Sequence, residues 1–501
     1  MLSEEQNNAY GEIVSFLKDS NETQMLLNAP AGTGKTYLIT YLINDLITKN
    51  ICKKIAITSP THKSKQILIS KLNEINNNPS PSIEISTIHR LLHYKSVIDL
   101  NGNKIFQKDS KTELNWYIYD LIIIDECSML SEGICNDIFN EIEKQKNNKK
   151  TKKMLKILYS GDMAQLNPID EKISCIFSKS IKLITLNNIV RTKNYNIMKF
   201  SEDHRIWQLD NTKQPILSNY LDESIKIYRN KDEWLDHFIK CLENKTNNVI
   251  LVWTNKQCNE YNTYVRKKIF KKDVLEKYEI GELLVFNNYF RIFEQIDDNH
   301  LETINFYTSE QVILTDISVI KHKLKKLSIT KTKVFSEELN NKIIGYLERI
   351  NNKLDININV YMMMIKKINE SKEYNVMVVH DDSIKIYDKL YMDCSNIIIK
   401  IKEACYKNIN KVHLENMELC NYQQEIDRKI TKLWNNFNSV FEIFGDLSYS
   451  YSISCHKSQG SGYFDTYIDI RDIFQNKNES ERLKMLYTAI TRTSNSINIY
   501  V

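Results

Sequence analysis

Residues 25–46 read MLLNAPAGTGKTYLITYLINDL: an apolar run, a loop carrying Gly32 and Gly34, then a run with helical periodicity. A Gly-rich turn between a strand and a helix aims backbone N–H groups at an anion, and the helix N-terminus adds to the pull. Ala29, Pro30, Ala31, Gly32, Thr33, Gly34, Lys35 and Thr36 are therefore read as a triphosphate cradle. Lys35 is placed to reach the β- and γ-phosphates, and the Thr36 hydroxyl to ligate Mg²⁺. Such loops usually open on Gly; Ala29 stands there and is still small enough for the turn.

Working outward, a second apolar run, LIIIDE at Leu121–Glu126, ends in two adjacent carboxylates. Downstream of a phosphate loop this pattern points to nucleoside triphosphate hydrolysis, with Asp125 holding Mg²⁺ and Glu126 polarising the attacking water. Further strand candidates are Lys54–Thr58, Leu155–Ser160 and Ile181–Leu186, alternating with helical stretches. Strands alternating with helices predict a parallel α/β sheet. A second α/β pattern begins with NVILVWTN at 248–255, breaks off near Gly281, and resumes after Gly445 with YSYSISCH, TYIDI and SINIYV.

Composition narrows the function classes. The chain holds 11 Gly and 6 Pro, where average usage gives roughly 35 and 25. That excludes collagen-like and Gly/Ser-linker architectures. Lys and Arg number 68 against 63 Asp and Glu, a formal charge of +5 that permits nucleic-acid binding without arguing for it. The 10 cysteines form no C-x-x-C pair and no zinc-ligand spacing. The opening MLSEE lacks a basic region and an apolar core, and no apolar run reaches about 18 residues. A soluble intracellular protein with reduced thiols is expected, in the cytoplasm, nucleoid or a viral replication compartment, without membrane contact.

Between Gln6 and Arg492 the motifs, in order, resemble those of the superfamily 1 helicases, closest to the 1B branch that includes RecD and the phage Dda enzyme. LSEEQNNAY looks like the Q motif, which implies that Gln6 reads the adenine edge. TSPTHKSK at 58–65 is similar to motif Ia and STIHRLL at 86–92 to motif Ib. SGDMAQLNPI at 160–169 resembles motif III, implying that Gln165 senses the γ-phosphate. LNNIVRT at 186–192 and LYTAITRT at 486–493 resemble motifs IV and VI, implying Arg191 and Arg492 as arginine fingers. SISCHKSQGSGYF at 452–464 is similar to motif V, with Gln459 and Gly460 toward the nucleotide. An arginine finger is worth about 10³–10⁵ in rate, so a site split between two domains couples closure to hydrolysis.

The same resemblance implies a single-stranded DNA track. Its donors would be Thr61, His62 and Lys63 of motif Ia, with Pro60 as prop or contact, and Thr87 and His89 of motif Ib. Asn255 in WTNKQCNEYN would join them, with Ser454, His456 and Lys457 of motif V. The SVIDLNGNKIFQK stretch at 96–108 predicts two short strands turning at Asn101-Gly102, with Gly102 at positive φ. The family places a strand-separating pin there; Phe106 or Ile105 is read as its apolar tip or as a packing contact, the other reading being a hairpin that only packs.

The expected fold is two RecA-like parallel-sheet domains. The first spans 1–200 with the hairpin insertion at about 90–115, and 201–247 connects. The second spans 248–289 and 441–501, interrupted at 290–440 by a mixed domain in which relatives carry an SH3-like barrel, here with helices. In that insertion Leu339, Ile343, Leu347, Ile350 and Leu354 mark one helical face. The Lys-rich runs at 144–153 and 321–333 are read as solvated segments, with contact to DNA as the alternative.

These features lead to an ATP- and Mg²⁺-dependent DNA helicase that moves on single-stranded DNA, 5′→3′ by family resemblance, working as a monomer on forked duplex beside replication or repair proteins. The motifs contact mostly backbone, so an RNA helicase stays open. An ATP-switched binding protein is the rival from another class, and it would have no use for Glu126 paired with two arginines.

Overall fold

The computed structural model describes residues 2–60, 62–75, 82–109, 114–147, 154–168, 171, 173–210, 214–243, 247–297, 300–330, 335–368, 370–409 and 416–501. They divide into two compact units, one of Met1–Tyr94, Lys108–Val274 and Tyr449–Val501, the other of Lys95–Gln107 and Leu275–Ser448.

In chain order the first strands are β1 (Gln24–Asn28), β2 (Ile55–Ser59), β3 (Ile83–Thr87), the hairpin pair β4 (Tyr94–Ile98) and β5 (Lys104–Lys108), β6 (Leu121–Ile124), β7 (Lys156–Gly161) and β8 (Lys182–Thr185). All but the hairpin pair form a parallel sheet in the order β3-β2-β6-β7-β1-β8. Parallel strands covered on both faces must be apolar throughout, and Leu121, Ile122, Ile123 and Ile124 are all 0% exposed. Leu121 and Ile123 enter one apolar cluster with Ile13 and Leu38, while Ile122 and Ile124 enter another with Trp116 and Ile138. The edge strand β3 carries Glu84 and is only partly buried, which is why its sequence does not read as a strand.

The chain continues through β9 (Ile225–Tyr228), β10 (Val249–Val252), β11 (Leu283–Phe286), β12 (Phe290–Asp297), β13 (His300–Phe306), β14 (Gln311–Lys323), β15 (Asn357–Lys367), β16 (Glu373–Val379) and β17 (Leu447–Tyr449). It closes with β18 (Ser452–Ser454), β19 (Tyr463–Asp469) and β20 (Thr493–Tyr500). A second parallel sheet runs β18-β10-β19-β20-β9. Its last strand and the Lys231–Glu243 helix come from the segment read as a connection at 201–247. The fold is thus two RecA-like α/β sheets with insertions.

The other unit holds a five-stranded sheet, β16-β15-β14-β11-β17, a separate β12–β13 hairpin, and the helices Glu337–Leu354, Asp381–Ile409 and Asn416–Phe441. The Glu337–Leu354 helix starts where Ser336 accepts from the Leu339 N–H, and it buries Leu339, Leu347, Ile350 and Leu354 on the face its spacing predicts. The β4–β5 hairpin belongs to this unit. Gly102 sits at φ +90°, and a Cβ there would lie 2.8 Å from the Trp434 ring. Trp434 Nε1 donates to the Leu100 carbonyl at 3.4 Å, Lys402 Nζ to Asn101 Oδ1 at 2.6 Å, and Ile98 joins the helical core. The hairpin turn is therefore seated on the helical pair.

Candidate nucleotide site and nucleic-acid-facing loops

The site grows from the carboxyl ends of the strands. After β1 the loop turns through Gly32 at φ +89° and Gly34 at φ +77°, and Gly34 leads into the Lys35–Thr48 helix. Both glycines are required by close approach as well as by φ. A Cβ on Gly32 would lie 3.1 Å from Arg191 Cβ, and one on Gly34 2.5 Å from Gln6 Nε2. The Gly32 carbonyl accepts from the backbone N–H groups of Val190 (2.7 Å) and Arg191 (2.9 Å), so the arginine segment is strapped to the phosphate loop.

After β6 the chain turns at Glu126, whose φ of +54° is uncommon for a non-glycine residue and marks strain held at a site. Lys35 Nζ lies 3.1 Å from Asp125 Oδ1 and 3.0 Å from Glu126 Oε1. Burial disfavours the Lys35 ammonium, but the two carboxylates outweigh it and hold its pKa above the usual lysine range. Burial raises Asp125 despite Lys35. It opposes ionisation of Glu126 as well, yet Lys35, Arg492 and Arg191 together hold that carboxyl below its ordinary value. Arg191 is brought down to about 10 by burial and by repulsion from Arg492, and burial lowers Arg492 too. Both guanidinium groups thus share one buried field with Glu126.

These groups line a cavity of about 600 Å³ with Ala29, Pro30, Ala31, Gly32, Gly34 and Thr36 of the phosphate loop, Gln165 and Gly460, while Thr33 is buried outside its lining. Among the described residues, Lys35 Nζ, Asp125 Oδ1, Glu126 Oε2 and Gln165 Oε1 are buried without an aligned hydrogen bond. Buried polar atoms are seldom left so, and donors and acceptors of this kind around one cavity fit a triphosphate with a divalent cation. Arg191 Nη1 donates to the Thr491 carbonyl, and Arg492 is held by the carbonyls of Thr488 (3.1 Å) and Ser461 (3.2 Å). Gln459 Nε2 is also buried without a partner, one residue before Gly460 at φ +76°.

Gln6 departs from expectation. It is 4% exposed and does not line the cavity. Its Oε1 accepts from the Ser3 N–H at 3.0 Å, closing a capping box, and its Nε2 donates to the Thr33 carbonyl at 3.0 Å. With one acceptor site and one donor of the carboxamide so engaged, the side chain braces the loop from behind Gly34.

Asp162 is a site residue the sequence reading passed over. Fully buried, it accepts from the Ala31 N–H (2.9 Å), Gln165 Nε2 (3.3 Å), the Ala164 N–H (3.0 Å) and the Tyr487 hydroxyl (2.9 Å). Its signal was its place three residues before Gln165 in the motif III run.

Apart from Phe106, the residues read as nucleic-acid contacts lie at or just beyond the carboxyl ends of β2, β3, β10 and β18, where open α/β sheets bind ligands. Thr61 and the side chains of His62 and Lys63 lie outside the described residues. Pro60 is half-buried after β2. Thr87 caps the Ile88–Leu91 turn by accepting from the Arg90 N–H at 3.3 Å. His89 meets the Tyr94 ring edge-on, and burial lowers its pKa. Asn255 is exposed at the start of the Asn255–Phe270 helix. Ser454 accepts from the Lys457 N–H at 3.4 Å, and His456 Nε2 lies 3.5 Å from Glu481. Phe106 lies in the other unit, 61% exposed on β5.

Residues 13–170 match the family model described as an AAA domain, and residues 449–500 match the UvrD-like helicase C-terminal domain. The ATP-dependent DNA helicase dda of Enterobacteria phage T4 is 25% identical over 332 residues, 62% of this chain and 66% of that protein. In its two family matches and its likeness to that enzyme, the chain resembles the superfamily 1B helicases. The uncharacterized protein R530 of Acanthamoeba polyphaga mimivirus is 28% identical over 525 residues and covers 100% of both chains. The crystal structure of Pif1 helicase from Bacteroides in complex with ADP-AlF3 and ssDNA aligns over 100% of this chain and 92% of its own, with a TM-score of 0.46 and 13% identity. No helix among the described residues is long and apolar enough to cross a membrane. The cavity is lined by residues that follow strands of both parallel sheets, Lys35 after β1 and Gly460 after β18 among them.

Proposed function

We propose that the chain is an ATP-driven DNA helicase that translocates 5′→3′ on single-stranded DNA and separates duplex ahead of it. The observation that carries this reading is the convergence of Lys35, Asp125, Glu126, Arg191 and Arg492 on one cavity. Lys35 leaves its two carboxylates for the β- and γ-phosphates when ATP binds. Glu126, released and ionised, takes a proton from the attacking water. Arg191 and Arg492 neutralise charge on the γ-phosphoryl group, and Gln165 presents its unpaired oxygen to the same water. Thr36 and Asp125 would hold Mg²⁺, which neutralises the triphosphate.

Arg492 precedes β20 of the second sheet while Lys35 follows β1 of the first, so full stabilisation of the transition state requires both sheets around the nucleotide. ATP therefore favours the closed arrangement over ADP, and alternation between the two drives stepping. Thr87, Asn255, Ser454 and Lys457 hold the strand through its phosphates, and the exposed Phe106 hairpin parts the duplex. The local hydrogen bonds accepted by Thr87 and Ser454 leave their hydroxyl protons for that purpose.

The test is unwinding of duplexes carrying a 5′ or a 3′ single-stranded tail, with ATP and with Lys35→Ala as control. Separation of 5′-tailed DNA by the wild type alone is expected. Action only on 3′-tailed DNA removes the polarity, preference for RNA tails removes the substrate, and activity of Lys35→Ala removes the mechanism.

A further inference from the structure

The buried Asp162 joins three elements that must agree before ATP is cleaved. Its Oδ2 accepts from the Ala31 N–H inside the phosphate loop, from Gln165 Nε2 at the cavity wall, and from the hydroxyl of Tyr487. The first two donors belong to the first sheet. Tyr487 comes from the Glu479–Ile490 helix packed on the second. Arg205 Nε, 3.8 Å from Oδ1, answers part of the charge, but a buried carboxylate oxygen that loses a donor still pays for the unfilled acceptor. When that helix withdraws, Asp162 loses a donor and leans on the remaining ones, Ala31 and Gln165 among them.

We propose that Tyr487 is a positioning residue that reports the seating of the Glu479–Ile490 helix to the phosphate loop and Gln165 through Asp162. Three further observations support this. The Tyr487 ring is 1% exposed and lies parallel to the His204 ring, 4° apart in plane at 6.4 Å, with its hydroxyl aimed at Asp162. One turn earlier Lys484 Nζ donates to Asn167 Oδ1 and, at 3.4 Å, to the Met163 carbonyl, while Leu166 is buried in one cluster with Met485. The helix thus grips the loop after β7 at several points. Its C-cap is Thr491, next to Arg492. Delivery of the arginine and the setting of Asp162 are therefore one movement of one rigid rod, and Gln165 is held for hydrolysis only when Arg492 is in place.

This inference rests on the proposed ATPase cycle. The experiment is Tyr487→Phe, which removes one oxygen and keeps the ring on His204. ATP hydrolysis is followed with and without saturating oligo(dT), alongside the affinity for a non-hydrolysable ATP analogue. The expected result is at least a tenfold lower kcat, analogue affinity within threefold of wild type, and loss of most of the stimulation by DNA. A purely structural role would instead lower kcat and affinity together, and that outcome overturns the proposal, as does a kcat within threefold of wild type. If Tyr487→Phe does not fold, Lys484→Gln decides, with the same split in weaker form expected and wild-type coupling overturning it. A wild type without DNA-stimulated ATPase overturns the proposed function itself, so the two failures are distinguishable.

Discussion

Replacing Gln6 with Ala separates a brace from a base reader. In the structure Gln6 donates to the Thr33 carbonyl and accepts from the Ser3 N–H, each at 3.0 Å, within a side chain that is 4% exposed. Truncation removes both bonds. The capping-box bond is worth about 0.5–1 kcal/mol, and stranding a buried loop carbonyl costs about 1–3 kcal/mol. A combined loss of about 2 kcal/mol falls on the conformation of the phosphate loop, which corresponds to a fall of about 30-fold in kcat/KM. Because the loop holds phosphates and not the base, the fall is expected to be the same for ATP and GTP. Steady-state hydrolysis of both nucleotides at saturating oligo(dT) measures it. A site built to hydrogen-bond a base discriminates strongly against analogues that leave its groups unpaired. Loss confined to ATP, with GTP untouched, would refute the bracing role and restore Gln6 to the base edge.

The remaining expectations concern stability. Trp434→Ala should cost about 3–5 kcal/mol in the unit holding the hairpin. Amide exchange in residues 95–107 is then expected to accelerate at least 100-fold, together with that of the Asp381–Ile409 helix, and an unchanged hairpin would contradict its seating on Trp434. Burial brings the His204 imidazole down to about 4. An unfolded chain binds that proton at about pH 6.5, so stability is present above 6.5, is lost as pH falls from 6.5 toward 4, and levels off below. The loss is about 3 kcal/mol. Urea unfolding between pH 7 and 4 checks it against His204→Asn, whose profile should be flatter by that amount; parallel profiles count against it.

Much of the fold was legible because parallel strands buried on both faces are continuous apolar runs. LIIIDE and NVILVWTN read plainly for that reason. The strands missed in the two sheets, β3 and β9, are edge strands of IEIST and IKIY, short and partly exposed, so their burial pattern carries little signal. The phosphate loop and the two carboxylates were legible because their chemistry needs fixed residue types at fixed spacing. The bracing bonds of Gln6 were hidden because a motif gives residue type but not the direction of a carboxamide, which the capping box with Ser3 sets. Asp162 and Tyr487 lay inside recognised runs, yet their bond links residues 325 positions apart, and no local pattern records that distance. The seating of Gly102 on Trp434 was hidden for the same reason.

The central claim is that the two sheets form one hydrolytic site, with Arg492 supplying charge to a transition state assembled on Lys35 and Glu126. Single-turnover ATP hydrolysis by Arg492→Ala at saturating oligo(dT), beside its affinity for a non-hydrolysable ATP analogue, tests that claim most directly. Hydrolysis is expected to fall by about 10³-fold or more, with analogue affinity within about tenfold of wild type. Hydrolysis within tenfold of wild type would contradict it.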